Sequence, residues 1–149
     1  MTCAHVIGSA ATRCGRFADA TVAGLASEAL VGALADAGPD TGRIEAIFFA
    51  NALSGLMTGQ ECVRGQIALR HSRYGGIPTV NVENACASGS TALHLASIAI
   101  ESGLYETVAV VGGVAANTEL RAALDDARLA PLALCTDNAA MIASAARFA

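Results

Sequence analysis

The 149 residues predict an α/β domain built on a mostly parallel sheet, and three observations carry that prediction. Short apolar runs rich in β-branched residues alternate along the chain with longer stretches whose apolar residues recur at helical spacing. Hydrophobic residues make up 54% of the chain but aromatics only 4%, so the core must be built from Ala, Val, Leu and Ile, which suits helices packed closely on a parallel sheet. The length provides one compact domain with a real core and is too short for two ordinary ones, so residues 1–149 are read as a single domain.

In chain order, His5 to Ala11 reads as a first strand, ended by Gly15 and a polar bend. Asp19 or Thr21 then caps a helix from Val22 to Ala37, in which Leu25, Ala29, Leu30, Ala33 and Leu34 share one face and Gly38 with Pro39 stops the turn. Ile44 to Ala50 is a second, buried strand, followed by a Gly- and Ser-containing loop from Asn51 to Gly59 at its carboxyl end, where open α/β sheets place ligands. Gln60 to Tyr74 reads as a helix with Val63, Ile67 and Leu69 inward and Arg64, Arg70 and Arg73 exposed. A solvated face is the preferred reading of these arginines, ahead of a clamp for coenzyme-A phosphates. Gly75 and Gly76 turn the chain into a buried strand from Thr79 to Val82. A helix from Ser88 to Glu101 carries Ala92, Leu95, Ala96, Ala99 and Ile100 at helical spacing, and Glu106 to Val111 is a further strand. The order β-α-β-α-β-α-β implies right-handed crossovers between parallel strands.

The stretch with chemical content is PTVNVENACASGSTALHLASIAIESGLYETVAVVGGV, from Pro78 to Val114. Cys86 lies between the strand ending at Val82 and the helix starting at Ser88. A helix N-terminus presents free N–H groups and the positive end of the dipole, which favours thiolate over thiol. Ala85, Ala87, Ser88, Gly89 and Ser90 are small enough to let a substrate carbonyl approach the sulfur and those N–H groups, which could serve as an oxyanion hole. The alternative is that Cys86 is a small buried hydrophobe at a tight corner, the commoner fate of a lone cysteine. Of the three histidines, His5, His71 and His94, the last follows Cys86 by two helical turns, about 12 Å along the axis, too far for direct proton transfer.

Over NACASGSTALHLASIAIESGLYETVAVVGGV the sequence resembles the nucleophile segment of the thiolase superfamily, closest to the sterol-carrier-protein type. The likeness extends more weakly back to HVIGSAATRCGRF, covering about three quarters of the chain. It implies a thiolase-like N-terminal half-domain in which Cys86 accepts an acyl group as a thioester from acyl-CoA or an acyl carrier. Gly112 and Gly113 would close the following strand, and Gly89, Gly112 and Gly113 are the candidate cofactor-contacting positions. Coenzyme A enters as a substrate thioester, and no resident cofactor or metal is expected. Thiolases also use a histidine in a Gly-His-Pro context and a second cysteine in a Cys-x-Gly context, and neither motif occurs here. An acyltransferase of this kind would therefore need a second half or a partner for its acid/base steps.

After Val114 the resemblance changes, dividing the chain into a thiolase-like portion, 1–114, and a divergent tail, 115–149. GGVAANTELRAAL followed by LCTDNAAMIA resembles the nucleotide-site segment of the tRNA-adenosine threonylcarbamoyltransferase family, of actin-like ATPase fold. That likeness would place Asn117 near a nucleotide and Asp137 on a metal, although the family's paired histidines and phosphate loops have no counterpart and a lone carboxylate is a poor metal site. The tail predicts two helical segments, Thr118 to Ala127 and Asn138 to Phe148, the second capped by Asp137.

Composition excludes several classes. A net charge of −4 offers no basic footprint for nucleic acid or anionic membranes. Charged or glycine residues interrupt every apolar run before it reaches membrane length, and the N-terminus lacks a signal-peptide pattern, so a cytoplasmic protein is expected. Five cysteines, Cys3, Cys14, Cys62, Cys86 and Cys135, without a CxxC pair, argue against a disulfide framework. Only 15% of residues are charged and mean hydropathy is +0.50, so part of the surface must be apolar, which points to a homo-oligomer such as a dimer, or to a missing second half. Against the acyl-transfer reading in lipid metabolism stand a non-catalytic scaffold or oligomerisation domain and, more weakly, a nucleotide-binding fragment.

Overall fold

The computed structural model describes residues 3–13, 18–52 and 54–112, and the backbone of 142–148. The chain forms β1 (Ala4–Ala11), α1 (Val22–Ala37), β2 (Ala46–Ala50), α2 (Ser54–Thr58), α3 (Arg64–Leu69), β3 (Thr79–Val82), α4 (Ser88–Glu101), β4 (Thr107–Gly112) and β5 (Ile142–Phe148). The five strands make one sheet in the order β1-β5-β4-β2-β3. β2 pairs in parallel with both β3 and β4, whereas β5 runs antiparallel to β1 and β4, so four of the five strands point the same way. The predicted α/β class with a mostly parallel sheet is what the structure shows.

Strand alternation divides the core between two faces. Ile47 and Phe49 of β2 and Ala109 and Val111 of β4 point to the side covered by α1 and α3, where they meet Ala26, Ala29, Leu30, Ala33 and Leu69. Ala46, Phe48 and Ala50 with Val108 and Val110 point to the side covered by α4, against Ala92, Ala96, Ala99 and Ile100. Every residue of β2 and β4 is buried, as expected for strands covered on both faces. Alanine on the inner face of α4 brings that helix close to the sheet, and this helix is the one Cys86 precedes. The boundaries of α1 follow the expected chemistry: Thr21 Oγ1 accepts a hydrogen bond from Gly24 N at 3.0 Å, and Gly38, at φ +87°, donates its N–H to Leu34 O. Such a cap contributes about 1 kcal/mol.

The structure corrects four expectations. The expected helix from Asn138 to Phe148 is not formed over its described part, because Ile142–Phe148 is β5. Inserted between β1 and β4, it satisfies backbone groups on both neighbours, and this long-range pairing outweighs the weak strand preference of an alanine-rich segment. The expected helix from Gln60 to Tyr74 is reduced to α3. Val63 adopts a left-handed conformation at φ +45° in front of it, and behind it both Ser72 N and Ser72 Oγ bond to Leu69 O, closing a turn where the helical ladder would have continued. β3 is not buried as expected: it is the edge strand, and only Val82 is covered while Val80 stays 42% exposed. Leu95, expected on the inner face of α4, is also exposed, as is Ile98. The Thr118–Ala127 helix, Gly113, Asn117 and Asp137 lie outside the described residues.

Candidate active site

β2 and β3 end side by side, with Asn51 N bonded to Val82 O at 3.1 Å just beyond their last register pair, Ala50 with Val82. Cys86 follows four residues later, in a 3-10 turn from Ala85 to Ala87 that runs directly into α4. The carboxyl edge of parallel strands is where α/β folds place ligands. Cys86 is exposed and its thiol is free, so it is not the buried hydrophobe that a lone cysteine usually is. Cys3 and Cys62 are also free and exposed, and Cys14 and Cys135 lie outside the described residues.

The corner is held by side chains on both sides of the cysteine. Asn84 N donates to Ser88 Oγ at 2.8 Å, and Ser88 Oγ donates to Ala85 O at 2.7 Å. Ala85 N donates to Glu83 Oε1 at 2.8 Å, while Asn84 Nδ2 reaches Thr91 Oγ1 one turn into the helix at 3.0 Å. Within this corner Ala85 stands at φ +44°, a left-handed conformation that costs a non-glycine residue of order 1–2 kcal/mol. The N-cap position of α4 is Ala87, whose side chain offers no oxygen, so no side chain occupies the first N–H groups of the helix. Ser88 N–H bonds instead to the backbone at Ala85 O. The result is an exposed thiol at the start of α4 with no side-chain cap over it, an arrangement that leaves room for a carbonyl to approach the sulfur.

Gly89 is buried at the second position of α4. Gly112 ends β4 at φ +144°, and a Cβ there would fall 2.5 Å from both Cβ and O of Ala50. Glycine is needed because the ends of β2 and β4 approach too closely for any side chain, a packing reason that the reading of Gly112 as a cofactor contact did not contain. The histidines are all exposed: His5 on β1, His71 accepting from Arg70 Nε at 2.8 Å, and His94 on α4. Among the described residues no three of His, Cys, Asp and Glu cluster as metal ligands would. The broad cleft lined by Gly38, Arg43, Arg73, Tyr74, Gly75 and Ile77 sits at the amino ends of β2 and β3, the opposite end of the strands from Cys86, and no cysteine or histidine lines it. Arg70 and Arg73 are solvated as expected, but Arg64 is not: its guanidinium turns inward onto the loop after β2, a placement helical periodicity could not foretell because it depends on where the helix begins.

Residues 4–137 match the thiolase N-terminal domain. The chain belongs to the thiolase family. The acetyl-CoA acetyltransferase of Methanothermobacter thermautotrophicus is 35% identical over 115 residues, covering 77% of this chain and 30% of that protein. Sterol carrier protein 2 of Gallus gallus is 40% identical over 89 residues, covering 59% of this chain and 15% of that protein. The fold is shared with a priming β-ketosynthase of a polyketide pathway at a TM-score of 0.69 and 18% identity, across 98% of this chain and 50% of the other. The chain thus spans a third or less of the length of these thiolase relatives. It is also similar to the tRNA N6-adenosine threonylcarbamoyltransferase of Ruegeria sp., 37% identical over 112 residues, 63% of this chain and 30% of that protein. The thiolase match runs past Val114 into the tail.

Proposed function

We propose that this thiolase domain is the nucleophile-bearing part of an acyltransferase, with Cys86 as the acyl acceptor. The observation that supports it most directly is the exposed Cys86 at a strained strand-to-helix corner, where no side chain caps α4. The Cys86 thiolate adds to the carbonyl carbon of an acyl-CoA or acyl-carrier thioester, and backbone N–H groups at the helix start bear the oxyanion. The original carbon–sulfur bond then breaks, a new one to Cys86 Sγ remains, and the proton given up by Cys86 ends on the departing thiol. Coenzyme A is thus consumed as a substrate thioester, in a cytoplasmic acyl-CoA or lipid pathway. Among the described residues no helix is long and apolar enough to cross a membrane.

Condensation or cleavage requires further acid/base groups, which a second half or partner chain supplies. Leu95 and Ile98 on the outer side of α4 and Val80 on the free edge of β3 are apolar surfaces suited to being covered by that half and by a second copy of the chain. Intact mass after incubation with acetyl-CoA and longer acyl-CoA thioesters tests the reading: one acyl adduct is expected on the wild-type chain and none on Cys86→Ala. Equal labelling of both proteins would overturn it. The same exposed apolar side chains also suit a scaffold without catalysis, and that reading gains if Cys86 alkylates at neutral pH no faster than an exposed model thiol.

A further inference from the structure

Arg64 stands at the amino end of α3, yet its side chain is only 17% exposed and works as a brace. Nη1 donates to Asn51 O at 2.9 Å and to Ala52 O at 3.3 Å, both on the loop leaving β2, and Nη2 pairs with Glu61 Oε2 at 2.9 Å. Nε is buried without an acceptor among the described residues. Its base is fixed to the sheet: Gly65 N donates to Asn81 Oδ1 at 2.6 Å, Asn81 Nδ2 donates to Gln66 Oε1, and Gln66 Nε2 donates to Thr79 O. The far end is equally built. Asn51 bonds through its N–H to Val82 O, and its Oδ1 accepts from Ser54 N and Ser54 Oγ, which starts α2.

α2 needs such a tether. It buries only Gly55, while Leu56 and Met57 are 78% and 82% exposed, so apolar burial contributes little to its position. A Cβ on Gly55 would fall 2.7 Å from Arg64 Nε, which puts the guanidinium directly against this short helix. Since Val82 leads into the Cys86 corner, the braced loop and the nucleophile leave neighbouring strands at the same edge.

We propose that Arg64 is a positioning residue that holds Asn51, Ala52 and α2 as a fixed wall of the Cys86 site, where they meet the incoming thioester. A planar guanidinium can span two carbonyls and a carboxylate at once, which a lysine ammonium on a flexible stem cannot. The link to acyl transfer rests on the function proposed above, so the test has one readout that does not. Hydrogen exchange on the full chain should show amides of 54–59 at least tenfold faster in Arg64→Ala, and in Arg64→Lys with less than half of the protection recovered, while β2 and β4 amides stay within twofold. Acylation of Cys86 by sub-saturating acetyl-CoA should fall at least fivefold through a higher half-saturating concentration, with iodoacetamide alkylation of Cys86 within twofold. Unchanged exchange in 54–59 overturns the brace, and faster exchange there with unaltered acylation overturns its role at the site. Exchange that rises equally in β2 and β4 shows general loosening and also overturns it. A wild-type chain that takes no acyl group fails the acyltransferase reading instead, and the brace is then judged by the exchange alone.

Discussion

Ser88 and Asn84 face each other across the nucleophile, the serine hydroxyl accepting from Asn84 N at 2.8 Å while donating to Ala85 O at 2.7 Å. The hydroxyl of the buried Ser88 therefore satisfies a donor and an acceptor on the two residues that precede Cys86. Replacing Ser88 with alanine removes the partner of Asn84 N, a loss of about 1 kcal/mol. Urea denaturation of Ser88→Ala should show a midpoint lowered accordingly, and acylation of Cys86 should slow by more than the fraction unfolded accounts for. A variant with unaltered midpoint and rate would show that the clasp is dispensable.

The left-handed Ala85 predicts an opposite pair of effects. Ala85→Gly removes the steric cost at φ +44° but adds freedom to the unfolded chain, for a net gain of up to about 1 kcal/mol. Thermal melting should rise by a few degrees or stay level. If the variant melts well below the wild type, Ala85 is not strained as its φ implies.

At the other strand end, Gly112 admits no side chain. Gly112→Ala should push β4 from β2 at Ala50, a loss of order 3 kcal/mol from overpacking and the unfavourable φ together. Circular dichroism melts against wild type check this, and an unchanged melt would show that the two strand ends separate freely.

Phe49 is fully buried between β2 and the α1/α3 layer. Truncation to alanine should cost about 3–5 kcal/mol, the usual range for an aromatic deleted from a packed core. Chemical denaturation would measure it, and a cost below 1 kcal/mol would contradict the two-faced core.

Leu95 and Ile98 offer a test of the exposed side of α4. Leu95→Glu with Ile98→Glu should leave the melt of the isolated chain within about 1 kcal/mol of wild type, since surface changes away from packed features are small. Any self-association through this face should weaken, seen as a later elution in size-exclusion chromatography. A large loss of stability would place these residues in the core after all.

Much of this protein was determined by local sequence alone. The bounds of α1 at Val22–Ala37, of α4 at Ser88–Glu101 and of β3 at Thr79–Val82 are those read from apolar period and punctuation, because a threonine cap, a glycine stop and a short β-branched run act within a few residues of themselves. Cys86 at a strand-to-helix corner was legible for the same reason.

Tertiary structure alone decided the rest. Ile142–Phe148 became a strand because two distant strands offered open edges, and Thr79–Val82 lost its burial because it has a neighbour on only one side. Arg64 turned inward because a left-handed Val63 aimed it at the carbonyls of Asn51 and Ala52, which stand 13 and 12 residues before it in sequence. Hydrogen-bond partners at that separation leave no period in the sequence, so only the folded chain shows which groups they join.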